Sequence, residues 1–326
     1  MKKVLLIGVS GEPHVESVKE IIKAKGGETV EIQVDLVLQG KAISSRLENT
    51  GELNLRLEEQ IGKLPMSSIS SVFCRPYPEW ALGAKHRVPM VEQFLQRECY
   101  NLLEMVWEWI RDDVPVWVNP WDVSDLAANK GRQLKLASKL GLKIPRTLIT
   151  FSNVEAKNFI SEAHAAGKKI VIKTLSGFHN PQRNERAGSF VRQINENELG
   201  EINYPLLLQE YMDKQYELRV TVVGNKCFAC KILSQNSPNE ASKIDWRVYD
   251  FEHVDWLPAV LDAETESAMI KMVNAFGLNY AAIDLICSPN GEITFLELNP
   301  NGLWLWIEKL AGLPISEAVA DFLLRH

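Results

Sequence analysis

The chain lacks the segments that would put it in a membrane or outside the cell. No stretch approaches the ~20 consecutive apolar residues of a bilayer-spanning helix. The opening MKKVLLIGVSGEP has an apolar run too short for a secretory signal, and charged, helix-like sequence follows at once, so it reads as a first β-strand. Cysteine is sparse: Cys74, Cys99, Cys227, Cys230 and Cys287 make five, odd in number and scattered. That usage suits a reducing cytoplasm, not a disulfide framework. Cys227-x-x-Cys230 has the spacing of a redox or metal pair, but it lies in the strand-like KCFACKIL with no second pair nearby. Basic charge is not in surplus: 36 Lys and Arg against 42 Asp and Glu leave a net charge of −6, which excludes nucleic-acid binding by bulk electrostatics. No G-x-G-x-x-G follows the first strand, and no G-x-x-x-x-G-K-S/T, H-R-D or D-F-G is present. A dinucleotide site, a P-loop and a protein kinase are thereby set aside.

What is present is enough apolar sequence, 46% of 326 residues, for two or three domains or for one domain with lobes. Strand Lys3–Val9, helix Glu12–Lys25 and strand Val30–Val37 form a βαβ opening that predicts an α/β domain with a parallel sheet. Leu53–Leu57 reads as an edge strand and Ser71–Arg75 as a further strand. His86–Asp112 reads as a long helix with Met90, Phe94, Leu102, Met105, Val106 and Trp109 at core spacing; Trp107 and Trp109 fit packing or an interface better than a ligand box. Val114–Val118 is a short strand. A helix carrying Asn129, Lys130, Gln133 and Leu134 stops at Gly141, and Ser152 caps another that runs to about Gly167. Lys169–Thr174 is an apolar strand, and Ser176–Gly188 is a polar, basic loop with glycine at both ends, of the kind that covers a ligand. Strands follow at Ser189–Ile194 and Leu206–Gln209, then a hairpin, Tyr216–Val223 and Lys226–Leu233, around Gly224-Asn225. Helices close the sequence at Glu264–Phe276 and Ser316–Leu324.

The stretch around which these parts are arranged is NYAAIDLICSPNGEITFLELNPNG. Two strands, Ala281–Cys287 and Glu292–Leu298, flank the turn Ser288-Pro289-Asn290-Gly291. Pairing Cys287 with Glu292 would set Asp284 opposite Phe295. Alternation sends Asp284, Glu297 and Asn299 to one face, and Ile283, Leu285, Leu296 and Leu298 to an apolar one. Three oxygen-bearing side chains on one face suit a hard cation such as magnesium, with positions left for phosphate; the competing reading is a solvated polar face. A triphosphate also requires cations aimed at it. Lys130, early on a helix, and Lys173, at the end of an apolar strand where a charge needs a partner, are placed for this, although each has a surface-lysine alternative. Glu210-Tyr211-Met212 after a strand would form a hinge holding an adenine edge. Glu217 and Arg219 share one face of the next strand, reaching ribose and phosphate or pairing across strands.

Helix lysine, strand lysine, glycine-flanked loop, hinge, E-x-R strand and D…E-x-N hairpin occur in an order that resembles the ATP-grasp superfamily from about residue 119 onward. The finer resemblance is to the microviridin-type ligases, or graspetide synthetases. It is carried by NKxxQLxxA with LGLxIPxTL (Asn129–Leu148), YELRVTVVG (Tyr216–Gly224), DWR (Asp245–Arg247), FGLNYAAID (Phe276–Asp284), FLELNPNG (Phe295–Gly302) and LPISEAVADFL (Leu313–Leu323). The resemblance implies an α/β fold with ATP-grasp lobes: an N-terminal pre-ATP-grasp domain over 1–118, a central lobe over 119–204 and a C-terminal lobe with the metal site over 205–326. It implies a cytoplasmic, homodimeric enzyme acting on a ribosomally made precursor peptide with leader and core, and neither nucleic acid nor membrane as partner. ATP would phosphorylate an Asp or Glu side chain of that peptide, and a Ser, Thr or Lys side chain would attack the acyl phosphate, closing an ester or amide ring. Carried onto this sequence, Lys130 and Lys173 would bind the α- and β-phosphates, and Glu210 and Met212 would flank the adenine beside Tyr211. Glu217 would take the ribose, and Asp284, Glu297 and Asn299 would hold magnesium. Arg219 would stabilise the transferring phosphoryl group, and Arg247 the substrate carboxylate. Two departures touch substrate choice: Pro76 follows Arg75 where many such ligases have paired arginines, and the 176–188 loop diverges. Competing implications are an amino-acid or glutamate ligase acting on a protein or peptide C-terminus, and a non-catalytic ATP-binding regulator.

Overall fold

In the computed structural model, which describes residues 3–37, 43–51, 53–57, 62–64, 66–75, 89–175 and 191–325, the chain begins as its hydrophobic pattern requires. β1 (Lys3–Gly8) is buried on both faces, with Val4, Leu5, Leu6 and Ile7 at 1% exposure or less, the signature of a parallel strand covered from two sides. α1 (Pro13–Ala24) starts where the Glu12 side chain accepts from the Val15 amide and Pro13 occupies the first turn. β2 (Glu28–Gln33) is shorter than the sequence suggests, because the chain turns at Val34 into the single-turn α2 (Val34–Val37). β3 (Ile43–Leu47), β4 (Leu53–Leu57) and β5 (Gly62–Leu64) form a small antiparallel sheet of their own, with β4 in its middle and not at an edge. β6 (Ile69–Cys74) returns to the parallel sheet.

α3 (Pro89–Asp113) corrects the expected core stripe. Leu103, Val106, Trp107 and Ile110 are the buried residues, while Met90, Phe94 and Met105 are 77%, 61% and 50% exposed. Both sets keep the helical period, but 90/94/105 lie on the opposite face of the helix from 103/106/107/110, and only the latter face meets the sheet. β7 (Trp117–Val118) completes the parallel sheet in the order β2-β1-β6-β7.

Two antiparallel sheets follow. β8 (Thr147–Thr150), α6 (Asn153–Ala165, capped by Ser152), β9 (Ile170–Lys173), β10 (Arg192–Ile194) and β11 (Leu206–Glu210) build a lobe with strand order β10-β9-β11-β8. Sheet membership thus carries this lobe through Glu210. The expected 176–188 loop lies outside the described residues. The larger sheet runs β14-β13-β12-β15-β16, from β12 (Tyr216–Val223), β13 (Lys226–Ile232), β14 (Trp256–Ala259), β15 (Tyr280–Cys287) and β16 (Ile293–Asn299). Around it lie α4 (Trp121–Ala127), α5 (Lys130–Lys139), α7 (Glu240–Ile244), α8 (Ala263–Ala275), α9 (Leu305–Ala311) and α10 (Ile315–Leu324). α5 and α8 share one core with this sheet through Leu134, Ala137, Met269 and Met272. α9 and α10 share another with α1 and β1, which joins the first domain to the last. Among the described residues no helix is long and apolar enough to cross a membrane.

One side chain stitches the junction. Asn119 is 3% exposed; its Nδ2 donates to Tyr280 O and Pro300 O, both at 2.8 Å, and its Oδ1 accepts from the Asn279 and Tyr280 amides, both at 3.0 Å. Asn119→Ala leaves those buried groups unpaired, so it is expected to lower unfolding stability by about 3 kcal/mol. A urea midpoint equal to that of the parent protein would contradict this.

Candidate active site

β15 and β16 are joined with two one-residue shifts relative to the simplest hairpin. The turn is one residue longer, so Cys287 pairs with Ile293 and not with Glu292, and a bulge between Asp284 and Leu285 leaves Leu296 unpaired. The cause is burial. Phe295 and Leu298 both enter the core of Ile283 and Leu285, at 0% and 2% exposure, and two residues three apart can share a face of a strand only across a bulge. Leu296, expected in the core, is half-buried instead. The two shifts together restore parity, so Asp284, Glu297 and Asn299 do meet on one face. Glu297 comes directly opposite Asp284, and Asn299 Nδ2 lies 3.3 Å from both Asp284 Oδ2 and Glu297 Oε1.

That face is a charge lattice and not a solvated surface. Arg219, the cross-strand partner of Asp284, is 5% exposed, and its Nη1 sits 2.9 Å from each carboxylate oxygen of a 6%-exposed Asp284. Lys130, the first residue of α5, reaches Glu297 Oε2 at 2.7 Å. It is aimed there by Gln133, whose amide accepts from Leu298 N at 3.0 Å and donates to Leu298 O at 2.7 Å, so that a side chain stands in for a strand neighbour along β16. Lys173, the last residue of β9, comes from the other lobe into electrostatic reach of Glu297, Lys130, Arg247 and Asp245. Arg247 is held in a fork by Asp245, with Nε at 2.8 Å from Oδ1 and Nη2 at 2.6 Å from Oδ2, and it acts electrostatically on Glu297 and Asp284.

The field has unequal effects on its members. Burial alone would raise the pKa of Glu297, but Lys130, Lys173 and Arg247 overcome it and hold the carboxyl well below its ordinary range. Burial does raise Asp284, against the opposing pull of Arg219. Burial lowers Lys173 to about 8; Lys130 and Arg247 push the same way, and Glu297 and Asp245 resist. Gly302 closes the lattice from behind: a Cβ there would lie 2.4 Å from Ala282 Cβ and 2.6 Å from Arg219 Nη2, so only glycine lets the backbone pass.

The donor chemistry fits a hard divalent cation. Among the described residues no group of three or more His, Cys, Asp and Glu side chains is gathered for a metal. The set is two carboxylates and one amide, which calls for phosphate and water oxygens to complete a magnesium shell. Asn299 turned over about its terminal bond presents Oδ1 in place of Nδ2.

The hinge side is partly as expected. The Glu210 amide donates to Arg146 O at 3.0 Å and the Tyr211 amide to Lys169 O at 2.7 Å, so both are committed to the lobe itself and Met212 is the next backbone position along the hinge. Glu217 is already paired. It is 2% exposed, with Lys214 Nζ at 2.5 Å from Oε1 and the Ser234 hydroxyl donating to Oε2 at 2.5 Å. Both oxygens are already engaged, so a ribose would have to displace one of these partners. Lys214, Asp245 and Gln133 were given no role from sequence. Their signals were a lysine three residues before a strand glutamate, an acid two before an arginine, and an amide one turn into the lysine helix. Cys227 and Cys230 belong to different cores, and burial pushes both thiols to about 12, so they form no redox pair.

A titration of lysine side-chain carbons by NMR is expected to find Lys173 with a midpoint near 8. Glu297→Gln removes a negative neighbour that favours the charged form, so the midpoint should fall further. A midpoint near the ordinary 10.4, or a rise in the variant, would refute this electrostatic assignment.

Comparison with known proteins places these residues in a family. A model of the RimK-like ATP-grasp domain matches residues 127–323. A RiPP-associated ATP-grasp ligase of Chryseobacterium gregarium, solved with ADP and a leader and core peptide, is similar at TM-score 0.85 and 29% identity over 100% of this chain and 97% of that one. The macrocyclase MdnC of Microcystis aeruginosa MRC, solved with precursor peptide MdnA, is similar at TM-score 0.83 and 27% identity over 99% and 100% of the two chains. A probable alpha-L-glutamate ligase of Haemophilus influenzae is 23% identical over 205 residues, 60% of this chain and 63% of that protein, so the match spans less than two thirds of the curated relative. The matched region encloses every side chain of the lattice, and the chain belongs to the RimK-like ATP-grasp family.

Proposed function

We propose that the protein is an ATP- and magnesium-dependent carboxylate ligase that cross-links a ribosomally made precursor peptide. The observation that carries the reading is the convergence of Lys130, Lys173, Arg219 and Arg247 on the Asp284–Glu297–Asn299 face, from both lobes. A face of that composition accepts a metal-bound triphosphate end and little else. Lys130 and Lys173 bind the α- and β-phosphates. Glu210, Tyr211 and Met212 border the adenine, with Met212 supplying the backbone contact, and the Glu217–Lys214 pair lies at the ribose. Asp284, Glu297 and Asn299 would hold magnesium, which would supply neutralising charge to the phosphoryl oxygens. Arg219 faces that phosphoryl group and Arg247 orients the peptide carboxylate. A carboxylate oxygen of the peptide bonds to the γ-phosphorus as ADP departs. A Ser or Thr hydroxyl or a Lys amine then bonds to the acyl carbon; phosphate leaves with the acyl oxygen, and the nucleophile's proton passes to phosphate or solvent. Positioning and fixed charge supply most of the acceleration.

The peptide substrate is supported by likeness over the full length of two ligases solved with peptides, at 29% and 27% identity. The glutamate-ligase likeness covers 60% of this chain. Incubation with ATP, magnesium and precursor peptides rich in Thr, Ser, Asp and Glu is expected to give products that have lost water within one peptide. Gain of an amino-acid residue instead would move the protein to the glutamate ligases. A homodimer in the cytoplasm is proposed with this reading, and light scattering on the purified chain checks the assembly.

Glu297→Ala is expected to abolish ATP turnover with the fold retained; unchanged phosphate release would remove the metal assignment. Arg219→Ala is a poor probe, because it strands a buried Asp284 at a cost of about 3–5 kcal/mol. Arg219→Lys keeps the charge and loses the fork. It is expected to retain nucleotide binding and lower the chemical step about a hundredfold; near-parental single-turnover rates would exclude the role.

A further inference from the structure

Beside the lattice lies a group of aromatic side chains that the proposed chemistry does not use. Trp246, the residue between Asp245 and Arg247, has its ring centroid 5.2 Å from Trp306, 5.9 Å from Trp256 and 6.1 Å from Tyr249. Tyr249 and Phe251 stack at 5.1 Å with their planes 10° apart, yet they are 50% and 58% exposed. Trp256, at the start of β14, forms the floor, 5.0 Å from Trp306 and 6.1 Å from Phe251. It is 7% exposed, and its indole N–H is buried with no hydrogen-bond partner among the described residues. The guanidinium of Arg219 lies over the outer wall, 5.9 Å from the Trp246 ring.

Each feature departs from what a passive surface shows. Two stacked aromatic rings left half in water retain apolar area that a ligand would remove from solvent. A buried indole N–H normally has an acceptor, because leaving it unpaired forfeits its hydration without return. Two guanidinium groups border the aromatic group, each already paired with a carboxylate: Arg219, against the Trp246 ring, with Asp284, and Arg247, one residue from Trp246, with Asp245. The complementary occupant therefore has an apolar or aromatic side chain and a carbonyl oxygen for the indole, and on the ligase reading the acid that Arg247 orients lies one residue along. That is a peptide in which the reacting Asp or Glu has a bulky apolar neighbour.

We propose that Trp246, Tyr249, Phe251, Trp256 and Trp306 form a subsite for the apolar residue adjacent to the carboxylate presented to Arg247 and Arg219, and so help to select which acidic residue of the peptide reacts. The inference rests on the ligase reading for its geometry, but its test is separable. Calorimetry on the full chain saturated with ADP and magnesium compares the blocked pentapeptides Gly-Phe-Glu-Phe-Gly, Gly-Ser-Glu-Ser-Gly and Gly-Phe-Gln-Phe-Gly. The first is expected to bind about tenfold more tightly than either of the others. The double variant Tyr249→Ala/Phe251→Ala, confined to half-exposed side chains, removes the advantage of the first over the second and leaves the second unchanged. Trp256→Phe keeps the ring, loses the N–H and weakens the first.

Equal binding of the phenylalanine- and serine-flanked acids, absence of binding by any peptide, or a preference untouched by the double variant overturns the subsite. So does equal binding of the Glu and Gln peptides, which would detach the basin from the carboxylate. A double variant that alters sedimentation and not peptide preference assigns the surface to a second copy and also overturns it. Flank preference without any acyl transfer to a full precursor peptide keeps the subsite and removes the ligase reading. Cross-linking without flank preference does the reverse.

Discussion

The Arg219–Asp284 pair is the constraint on which the rest depends. Both partners are buried on adjacent strands, at 5% and 6% exposure, and neither can be ionised there without the other. Their pairing fixes the register of β12 against β15. The bulge in β16 then lifts Glu297 to the position opposite Asp284, where Lys130 meets it. The result is two neighbouring carboxylates in unlike states, one raised by burial and one held down by surrounding cations. The lower one stays ionised beside Lys130, and the higher one anchors Arg219.

The first domain acts on this site without contributing to its face. Arg75, 3% exposed, donates to Asn301 O at 3.3 Å and lies 5.3 Å from the Trp304 ring centroid. The Trp304 amide donates to His14 Nε2 at 3.2 Å, so the remaining ring proton belongs on Nδ1, which lies 2.8 Å from Glu12 Oε1. Asn119 holds Pro300 from the other side. The segment leaving β16 is therefore clamped from residue 300 to residue 304. Through Gly302, that segment is the surface against which Arg219 rests. Precision in the charge lattice is inherited from a domain that touches none of its charges.

Much of this was legible in the sequence because burial and period are local. The apolar run of β1, the Glu12 and Ser152 caps and the Gly224-Asn225 hairpin each follow from a few neighbouring residues. The shared face of Asp284, Glu297 and Asn299 was legible for a subtler reason. Its parity survives two compensating shifts, so alternation gave the right face through the wrong register. What was not legible is long-range. Nothing near Glu217 announces that Lys214 and Ser234 will occupy both its oxygens, and nothing near Gln133 announces that it will pair with the backbone of Leu298. The α3 stripe failed because Met90, Phe94 and Met105 form a second apolar stripe on the face opposite the one the core selects. An apolar residue left outside a core carries no mark in the sequence.

In the proposed reaction Asp284, Glu297 and Asn299 gather around a divalent ion at the γ-phosphate end of a bound nucleotide. Anomalous diffraction from manganese in crystals grown with a non-hydrolysable ATP analogue tests it most directly. The account predicts manganese bound to oxygens of all three residues and of the terminal phosphates, with Lys130 moved off Glu297 onto phosphate. Manganese bound elsewhere, or a triphosphate seated away from an intact Lys130–Glu297 pair, would contradict it.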